Sequence, residues 1–282
     1  MVTGATGQLG ALVVEQLLKL VPADHIAVSV RDPKKAEQLS ERGIDVRTAN
    51  FNDYDSLLNA FEGIDRVLMI STDDMANRVQ QHKAVIQAAK EKQVGFIAYT
   101  SAPKASTSKL SLAADHRATE EAIIASGIPY SILRNNWYLE NEMGTFQAVL
   151  NGAPWIIASG EGQVGWATRL DFAEAAARVL TGEGHENSIY ELSGPLLTQK
   201  ELSSIFAEVT NREVQIRYVD EADYNEFLQQ AGLPPAVSGF LASLQSQIGE
   251  GELQVESSDF ERVLGHPTTP LNEAIRQLLG QS

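Results

Sequence analysis

Three glycines, Gly4, Gly7 and Gly10, recur at a spacing of three in the opening stretch Thr3-Gly4-Ala5-Thr6-Gly7-Gln8-Leu9-Gly10. An amphipathic run follows at once, with Leu9, Val13, Leu17, Leu20 and Val21 on one side and Glu15, Gln16 and Lys19 among the rest. Glycines allow a tight turn and a close backbone approach. The free N–H groups and dipole of the following helix favour negative charge. Together these make a site for the pyrophosphate of a dinucleotide, with Gly4, Ala5, Thr6, Gly7, Gln8, Leu9 and Gly10 as its candidate residues. A tight turn of small residues with no ligand is the bland alternative, and the helix that follows favours the ligand. Only Met1 and Val2 precede Thr3, whereas a strand normally takes about five residues. Either the first strand is very short or a few residues are missing from the start of the sequence.

In dinucleotide folds, an acid at the end of the second strand holds the ribose hydroxyls of NAD, and an Arg there accommodates the 2′-phosphate of NADP. Arg31 stands in that region, with Lys34 and Lys35 behind it. This favours NADP(H), although the neighbouring Asp32 could serve a ribose. Ser71, Thr72 and Asp73 follow the fourth strand, and Thr100 follows the fifth. Carboxyl ends of parallel strands face the ligand crevice, so these residues are expected to line it, whether or not they also cap helices. The segment Arg134-Asn135-Asn136-Trp137-Tyr138-Leu139-Glu140-Asn141 is dense in amides and aromatics and follows another strand. Amides can hydrogen-bond a carboxamide, and flat rings can stack on a flat ligand. Asn135 through Glu140 are therefore cofactor candidates, with Trp137 and Tyr138 also facing the substrate; a surface loop around one buried Trp is the alternative.

The proton chemistry is less well marked. No tyrosine is followed four residues later by a lysine, so the Tyr-x-x-x-Lys pair of short-chain dehydrogenases is absent. Leu112 and His116 stand where that pair would fall. Tyr138 and His116 remain as catalytic candidates, neither of them certain. His82 is in step with Val79 and Ile86 and reads as a packing residue. No histidine has a metal-ligand partner at characteristic spacing, so no metal is expected.

The elements that must position these residues alternate. Strand-like runs at 26–30, 45–49, 66–70, 95–99 and 130–133 are separated by helical patterns at 33–42, 54–61, 77–92 and 113–126. Such alternation means an α/β fold, a Rossmann-type doubly wound parallel sheet. The second half is less regular, with helices at 171–182, 198–210, 221–231, 237–248 and 271–279 and short strands at 189–192 and 214–219; Gly249-Glu250-Gly251 reads as a flexible joint. Residues 1–150 are expected to form the NAD(P)-binding core. Residues 151–282 are expected to complete the sheet and build a small α+β substrate-side region.

Composition narrows the class. The chain has 282 residues, 43% of them hydrophobic and 21% charged, so a packed core is expected. There are no cysteines, which excludes disulfides, thiol catalysis and thiolate metal sites. A net charge of −15 argues against nucleic acid as a partner. No apolar run is long enough to span a membrane and no signal-peptide pattern opens the chain, so a cytoplasmic protein is expected.

The stretches GATGQLG, FIAYTSA at 96–102, RNNWYLEN at 134–141 and GHPTTPL at 265–271 resemble the type 2 NAD(P)H:quinone oxidoreductases. These are NmrA-like atypical short-chain dehydrogenases, grouped with triphenylmethane reductase. The glycine motif marks only the superfamily, whereas RNNWYLEN and GHPTTPL are more specific. The resemblance implies NADPH-dependent reduction of a quinone or similar planar acceptor without flavin. It places the cofactor at Gly4–Leu9, Arg31, Ser71–Asp73 and Asn135–Glu140, with Arg169 beside cofactor or substrate. Relatives often carry Arg-Asn-Pro where this chain has Arg31-Asp32-Pro33. A conjugated quinone delocalises the incoming charge, so a fixed phenolic acid is less necessary than for an isolated ketone. Two alternatives remain: an NmrA-like cofactor-sensing regulator without turnover, and a reductase of azo or triphenylmethane dyes. A homodimer is compatible with either.

Overall fold

A computed structural model describes residues 1–281. The strands are β1 (Val2–Thr3), β2 (Ala27–Val30), β3 (Asp45–Thr48), β4 (Arg66–Met69), β5 (Phe96–Ser101), β6 (Tyr130–Asn135), β7 (Trp155–Ile157), β8 (Gln163–Gly165), β9 (Ser188–Leu192), β10 (Leu196–Thr198) and β11 (Ile216–Tyr218). The helices are α1 (Gln8–Leu20), α2 (Glu37–Glu41), α3 (Tyr54–Ala60), α4 (Arg78–Glu91), α5 (Ala113–Ser126), α6 (Met143–Leu150), α7 (Arg169–Thr181), α8 (Gln199–Thr210), α9 (Glu221–Gln230), α10 (Pro235–Gly249), α11 (Asp259–Leu264) and α12 (Leu271–Leu278). One parallel sheet has the order β3-β2-β1-β4-β5-β6-β9. Its direction of winding reverses beside β1, which opens a crevice at the carboxyl ends of the strands.

The sheet is buried on both faces because successive side chains point opposite ways. Val2, Val28, Leu68, Ala98 and Leu133 meet α1, α7 and α11 on one face. Ala27, Val67, Met69, Ile97 and Tyr99 meet α3, α4 and α5 on the other. β9 comes from the second half of the chain and closes the sheet beside β6. A third core lies around Phe146, Trp155, Trp166, Phe206, Leu244 and Ile275. It is framed by two small ribbons, antiparallel β8–β10 and parallel β7–β11.

β1 has two residues and pairs with β2 and β4. Several sequence expectations need revision. The run at 33–42 is a 3-10 turn over Pro33–Ala36 followed by the short α2. α6, α11, β7, β8 and β10 have too few residues for a periodic signal. α7 begins at Arg169, two residues early, because Thr168 caps it in a reciprocal box with Asp171. β6 extends to Asn135, and the Arg134 guanidinium stays inside by pairing with Glu120 at 2.7 Å and Glu191 at 2.9 Å. Of the stretch 249–251, Gly249 closes α10, and Gly249 and Glu250 are exposed. A Cβ on Gly249 would stand 3.1 Å from the Ser159 carbonyl oxygen, and Lys104 Nζ donates to the Gly251 carbonyl at 2.7 Å.

Candidate active site at the sheet crevice

The glycine turn is built for close approach. Gly4 has φ +63°, a conformation that favours glycine, and the Gly7 N–H donates to its carbonyl at 2.9 Å. A Cβ on Gly10 would stand 2.2 Å from that same carbonyl oxygen. The first turn of α1 therefore lies directly on the loop. Gly7 caps α1 without any side-chain hydrogen bond, and no acidic residue stands in the first turn. The open N–H groups and the positive end of the helix border a crevice of about 650 Å³. This cradle of open N–H groups suits a pyrophosphate.

One end of the crevice is lined by Arg31, Lys35, Asn50, Phe51 and Asn52 at the carboxyl ends of β2 and β3. The Asp32 carboxylate caps the following turn, accepting from the Lys34 N–H at 3.1 Å, and it does not line the crevice. Arg31 thus stands where a ribose-binding acid would be, and no carboxylate among the described residues pairs with it. Gln81 ties this end together by donating to Asn52 Oδ1 at 3.2 Å and Asp74 Oδ2 at 2.8 Å.

The other end is lined by Leu9, Ser71, Thr72, Asp73, Thr100, Tyr138 and Arg169. Hydroxyls set its backbone. Thr3 Oγ1 accepts from the Ile70 N–H and Thr100 Oγ1 from the Ser71 N–H, both at 3.0 Å. The Thr72 N–H donates to His82 Nε2 at 3.1 Å. His82 is thus more than a packing residue, since it holds a loop of the crevice. Burial, with Arg78 nearby, lowers its pKa to about 3, so it accepts as the neutral ring.

The segment after β6 divides its residues. It is extended, with the Leu139 N–H donating to the Ala167 carbonyl at 2.9 Å, so neighbouring side chains face apart. Tyr138 faces the crevice, edge-on to Phe172 and under the Arg169 guanidinium, 5.0 Å from its ring centroid. Its hydroxyl accepts from Asn135 Nδ2 at 3.1 Å, and burial raises its pKa. Trp137 packs on the third core, and Leu139 is fully buried there. Asn136 donates to Ser193 Oγ and the Leu253 carbonyl. Glu140 accepts from the Arg169 backbone N–H at 2.9 Å and so fixes the start of α7.

Of the sequence candidates, Gly4, Thr6, Gly7, Gln8, Leu9, Gly10, Arg31, Ser71, Thr72, Asp73, Thr100, Tyr138 and Arg169 share the crevice lining. Ala5, Asn135, Asn136, Trp137, Leu139 and Glu140 stand behind it. His116 lies outside the lining, in hydrogen-bond contact with Tyr99 at 2.8 Å, and burial lowers its pKa to about 3. Sequence reasoning missed Asn50, Phe51, Asn52, Asp74 and Gln81. The rule of strand carboxyl ends, applied to β3, points to the first three. Gln81 sits mid-helix and carries no local signal. Among the described residues no group of three or more His, Asp or Glu is placed to hold a metal ion, and no helix is long and apolar enough to cross a membrane.

A doubly wound sheet with a phosphate turn at its switch point defines a dinucleotide-binding protein of the Rossmann type. Residues 4–183 match the model of the NAD(P)H-binding family. The chain belongs to that family, in the branch that contains quinone oxidoreductase 2 and triphenylmethane reductase. It is 41% identical to quinone oxidoreductase 2 of Escherichia coli strain K12, over 98% of this chain and 97% of that one. The crystal structure of the Escherichia coli NADPH-dependent quinone oxidoreductase with NADPH superposes at a TM-score of 0.95, covering 99% of both chains. Citrobacter sp. triphenylmethane reductase with NADP(H) is 38% identical, with a TM-score of 0.93 over 98% of both chains. The NAD(P)H azoreductase of Xenophilus azovorans is 26% identical over 97% of this chain and 95% of its own length.

Proposed function

We propose that this chain is an NADPH-dependent oxidoreductase that reduces quinones by direct hydride transfer, without flavin or metal. The observation that carries this reading is one continuous crevice. It runs from the unpaired cations Arg31 and Lys35, past the glycine turn, to the aromatic and cationic wall of Tyr138 and Arg169. The similarity to quinone oxidoreductase 2 supplies the acceptor class.

NADPH, when bound, supplies the hydride. Arg31 and Lys35 hold the 2′-phosphate, and the Gly4–Gly10 turn holds the pyrophosphate. The Ser71–Asp73 and Thr100 backbone, fixed by Thr3 and His82, shapes the far wall. Tyr138 stays protonated at neutral pH and presents a flat face on which a planar acceptor can stack. Water protonates the reduced quinone, so the missing Tyr-x-x-x-Lys pair is no defect. The protein works in the cytoplasm, as its relatives' small-molecule chemistry and its own acidic charge suit, and does not bind nucleic acid.

A panel of quinones, an azo dye and a cationic triphenylmethane dye, each with NADPH and with NADH, tests this. Colourless protein should oxidise NADPH with quinones and need no added flavin. Arg31→Ala should raise the NADPH Michaelis constant about 10- to 100-fold, as expected for a lost charged hydrogen bond, and leave NADH nearly unchanged. NADPH binding without turnover of any acceptor would favour a cofactor-sensing regulator instead. Faster turnover of dyes than of quinones would favour the dye-reductase reading that the similarity to triphenylmethane reductase raises.

A further inference from the structure

Arg169 opens α7 and lines the crevice at the end remote from Arg31. Its guanidinium lies over the Tyr138 ring and makes one side-chain hydrogen bond, from Nη2 to Asn141 Oδ1 at 2.9 Å. No carboxylate forms an ion pair with it among the described residues. Glu140 accepts from the Arg169 backbone N–H with both carboxylate oxygens, and Asp171, two residues on, accepts from the Thr168 and Thr269 hydroxyls. Asp73 and Asp74 line the crevice as well, and neither pairs with Arg169. A half-buried cation in a chain of net charge −15 is thus left with most of its donors open at the acceptor end.

We propose that Arg169 is a catalytic residue that stabilises negative charge developing on the acceptor, and so selects acceptors that become anions on taking a hydride. The proposal rests on the hydride-transfer reading above. The charge balance shows why the acceptor class matters. When a hydride leaves the dihydronicotinamide, a C–H bond breaks there and the cofactor becomes NADP⁺. Added to one quinone oxygen, the hydride forms an O–H bond and pushes an electron pair onto the other oxygen. A neutral quinone becomes a hydroquinone monoanion, which water then protonates. A cationic triphenylmethane dye accepts the hydride at its central carbon, forms a C–H bond and becomes neutral. Arg169 lowers the barrier for the first reaction, where charge appears, and has no such role in the second, where charge vanishes. A fixed guanidinium thereby takes over the charge-stabilising half of the work done by the absent tyrosine, and water takes the proton-donating half.

The test compares Arg169→Gln and Arg169→Lys with the unaltered protein. For neutral quinones, kcat/KM should fall roughly a hundredfold in Arg169→Gln, the usual cost of removing one donor from a developing oxyanion. Arg169→Lys should recover part of the loss because it keeps the charge. With the cationic dye, kcat/KM should fall less than about threefold, or rise, since repulsion is removed. Binding supplies a readout without turnover. In the presence of NADP⁺, 2-hydroxy-1,4-naphthoquinone, an anion at neutral pH, should bind Arg169→Gln at least about tenfold more weakly, a difference of about 1.4 kcal/mol. Neutral 1,4-naphthoquinone should bind both proteins alike. NADPH affinity, followed by its fluorescence, should change less than threefold. Equal losses for quinone and dye together with a tenfold loss of NADPH affinity would make Arg169 a cofactor ligand and overturn the proposal. Unchanged quinone turnover with intact folding would overturn it too. If the unaltered protein reduces the dye and no quinone, the quinone reading fails by itself, and the anion-binding comparison still decides the role of Arg169.

Discussion

The two ends of the crevice are made of different material. The glycine turn is backbone: Gly4 takes a positive φ, and a Cβ on Gly7 or Gly10 would press on the Gly4 carbonyl oxygen, at 3.2 Å and 2.2 Å. The opposite wall is side chain: Tyr138 is set by Asn135, three residues before it, and by Phe172 from α7, and Arg169 is set by Glu140 and Asn141, some thirty residues before it. A backbone site tolerates almost no added atom and is held by local chain geometry. A side-chain wall can lose one group and stay folded, because each member is held by more than one contact.

The largest effect should follow from adding one methyl group to the backbone site. In Gly10→Ala the new Cβ meets the Gly4 carbonyl oxygen at 2.2 Å and its carbon at 2.8 Å, both rigid main chain. The turn and α1 must separate, which misplaces the N–H cradle. We expect at least a hundredfold loss of NADPH affinity and a stability loss of about 1–3 kcal/mol, as for other overpacked sites. Fluorescence titration and thermal melting measure both. If NADPH still binds with native affinity, the contrast between the two ends collapses.

The side-chain wall predicts a split between neighbours. Trp137 and Tyr138 are adjacent in sequence and face opposite ways. Trp137→Ala should cost about 2–3 kcal/mol of stability, less than a fully buried Trp, with NADPH affinity little changed. Tyr138→Phe keeps the ring over which Arg169 lies and loses one hydrogen bond to Asn135, so melting should shift by about 1 kcal/mol or less. With water as the proposed proton source, turnover should fall less than about tenfold, under about 1.4 kcal/mol of barrier. A thousandfold loss with the fold intact would make the Tyr138 hydroxyl the proton donor.

The same contrast explains how much was legible in the sequence. The glycine turn, Arg31 and the strand ends at Ser71 and Thr100 rest on local spacing and on a general rule about parallel sheets, and a single sequence carries both. Reading 134–141 as a ligand segment placed it at the correct strand end. It could not separate Tyr138 from Trp137, because their directions depend on the pairing of this segment with Ala167, some thirty residues away. The start of α7 shows the same limit. Thr168 and Asp171 spell a capping box, but with Asp at the third position in place of Glu, and the helix starts two residues before its apolar pattern does. Of the short ribbons, β11 falls within the strand read at 214–219, whereas β7, β8 and β10 exist through long-range pairing and left no periodic trace.

Acid should weaken the fold through two buried histidines. His82 and His116 both have folded pKa values lowered to about 3, chiefly by burial. An exposed histidine in the unfolded chain titrates near 6.5. Between these values the unfolded chain binds more protons, so stability is full above about pH 6.5 and falls as the pH drops toward 3. Each histidine contributes a slope of up to about 1.4 kcal/mol per pH unit. Urea unfolding between pH 7 and 5 measures it. His116→Gln should remove about one proton from the slope. If that slope matches the unaltered protein, His116 is not buried neutral.

The smallest effect concerns the motif GHPTTPL, and it carries the opposite sign. His266 is exposed, its Nδ1 hydrogen-bonds the Pro267 carbonyl, and its Nε2 lies 3.1 Å from Glu174 on α7. The Pro267 carbonyl and then Glu174 raise its pKa. A raised folded pKa means that the bond helps below the unfolded value near 6.5 and is lost as the pH rises through the folded value. Solvent screens the pair, so the contribution is about 0.5 kcal/mol or less. The buried anchor of the same tail is Asp171, whose carboxylate accepts from the Thr269 hydroxyl at 2.8 Å and backbone N–H at 3.3 Å. Thr269→Val should therefore cost more than His266→Gln, about 1–3 kcal/mol for a buried acceptor left short of a partner, and with no slope near neutral pH. Because Asp171 also belongs to the cap that starts α7 at Arg169, the Thr269 variant should weaken binding of 2-hydroxy-1,4-naphthoquinone, and the His266 variant should not. Equal stability losses in the two variants would place the tail's hold on the surface, away from the cap.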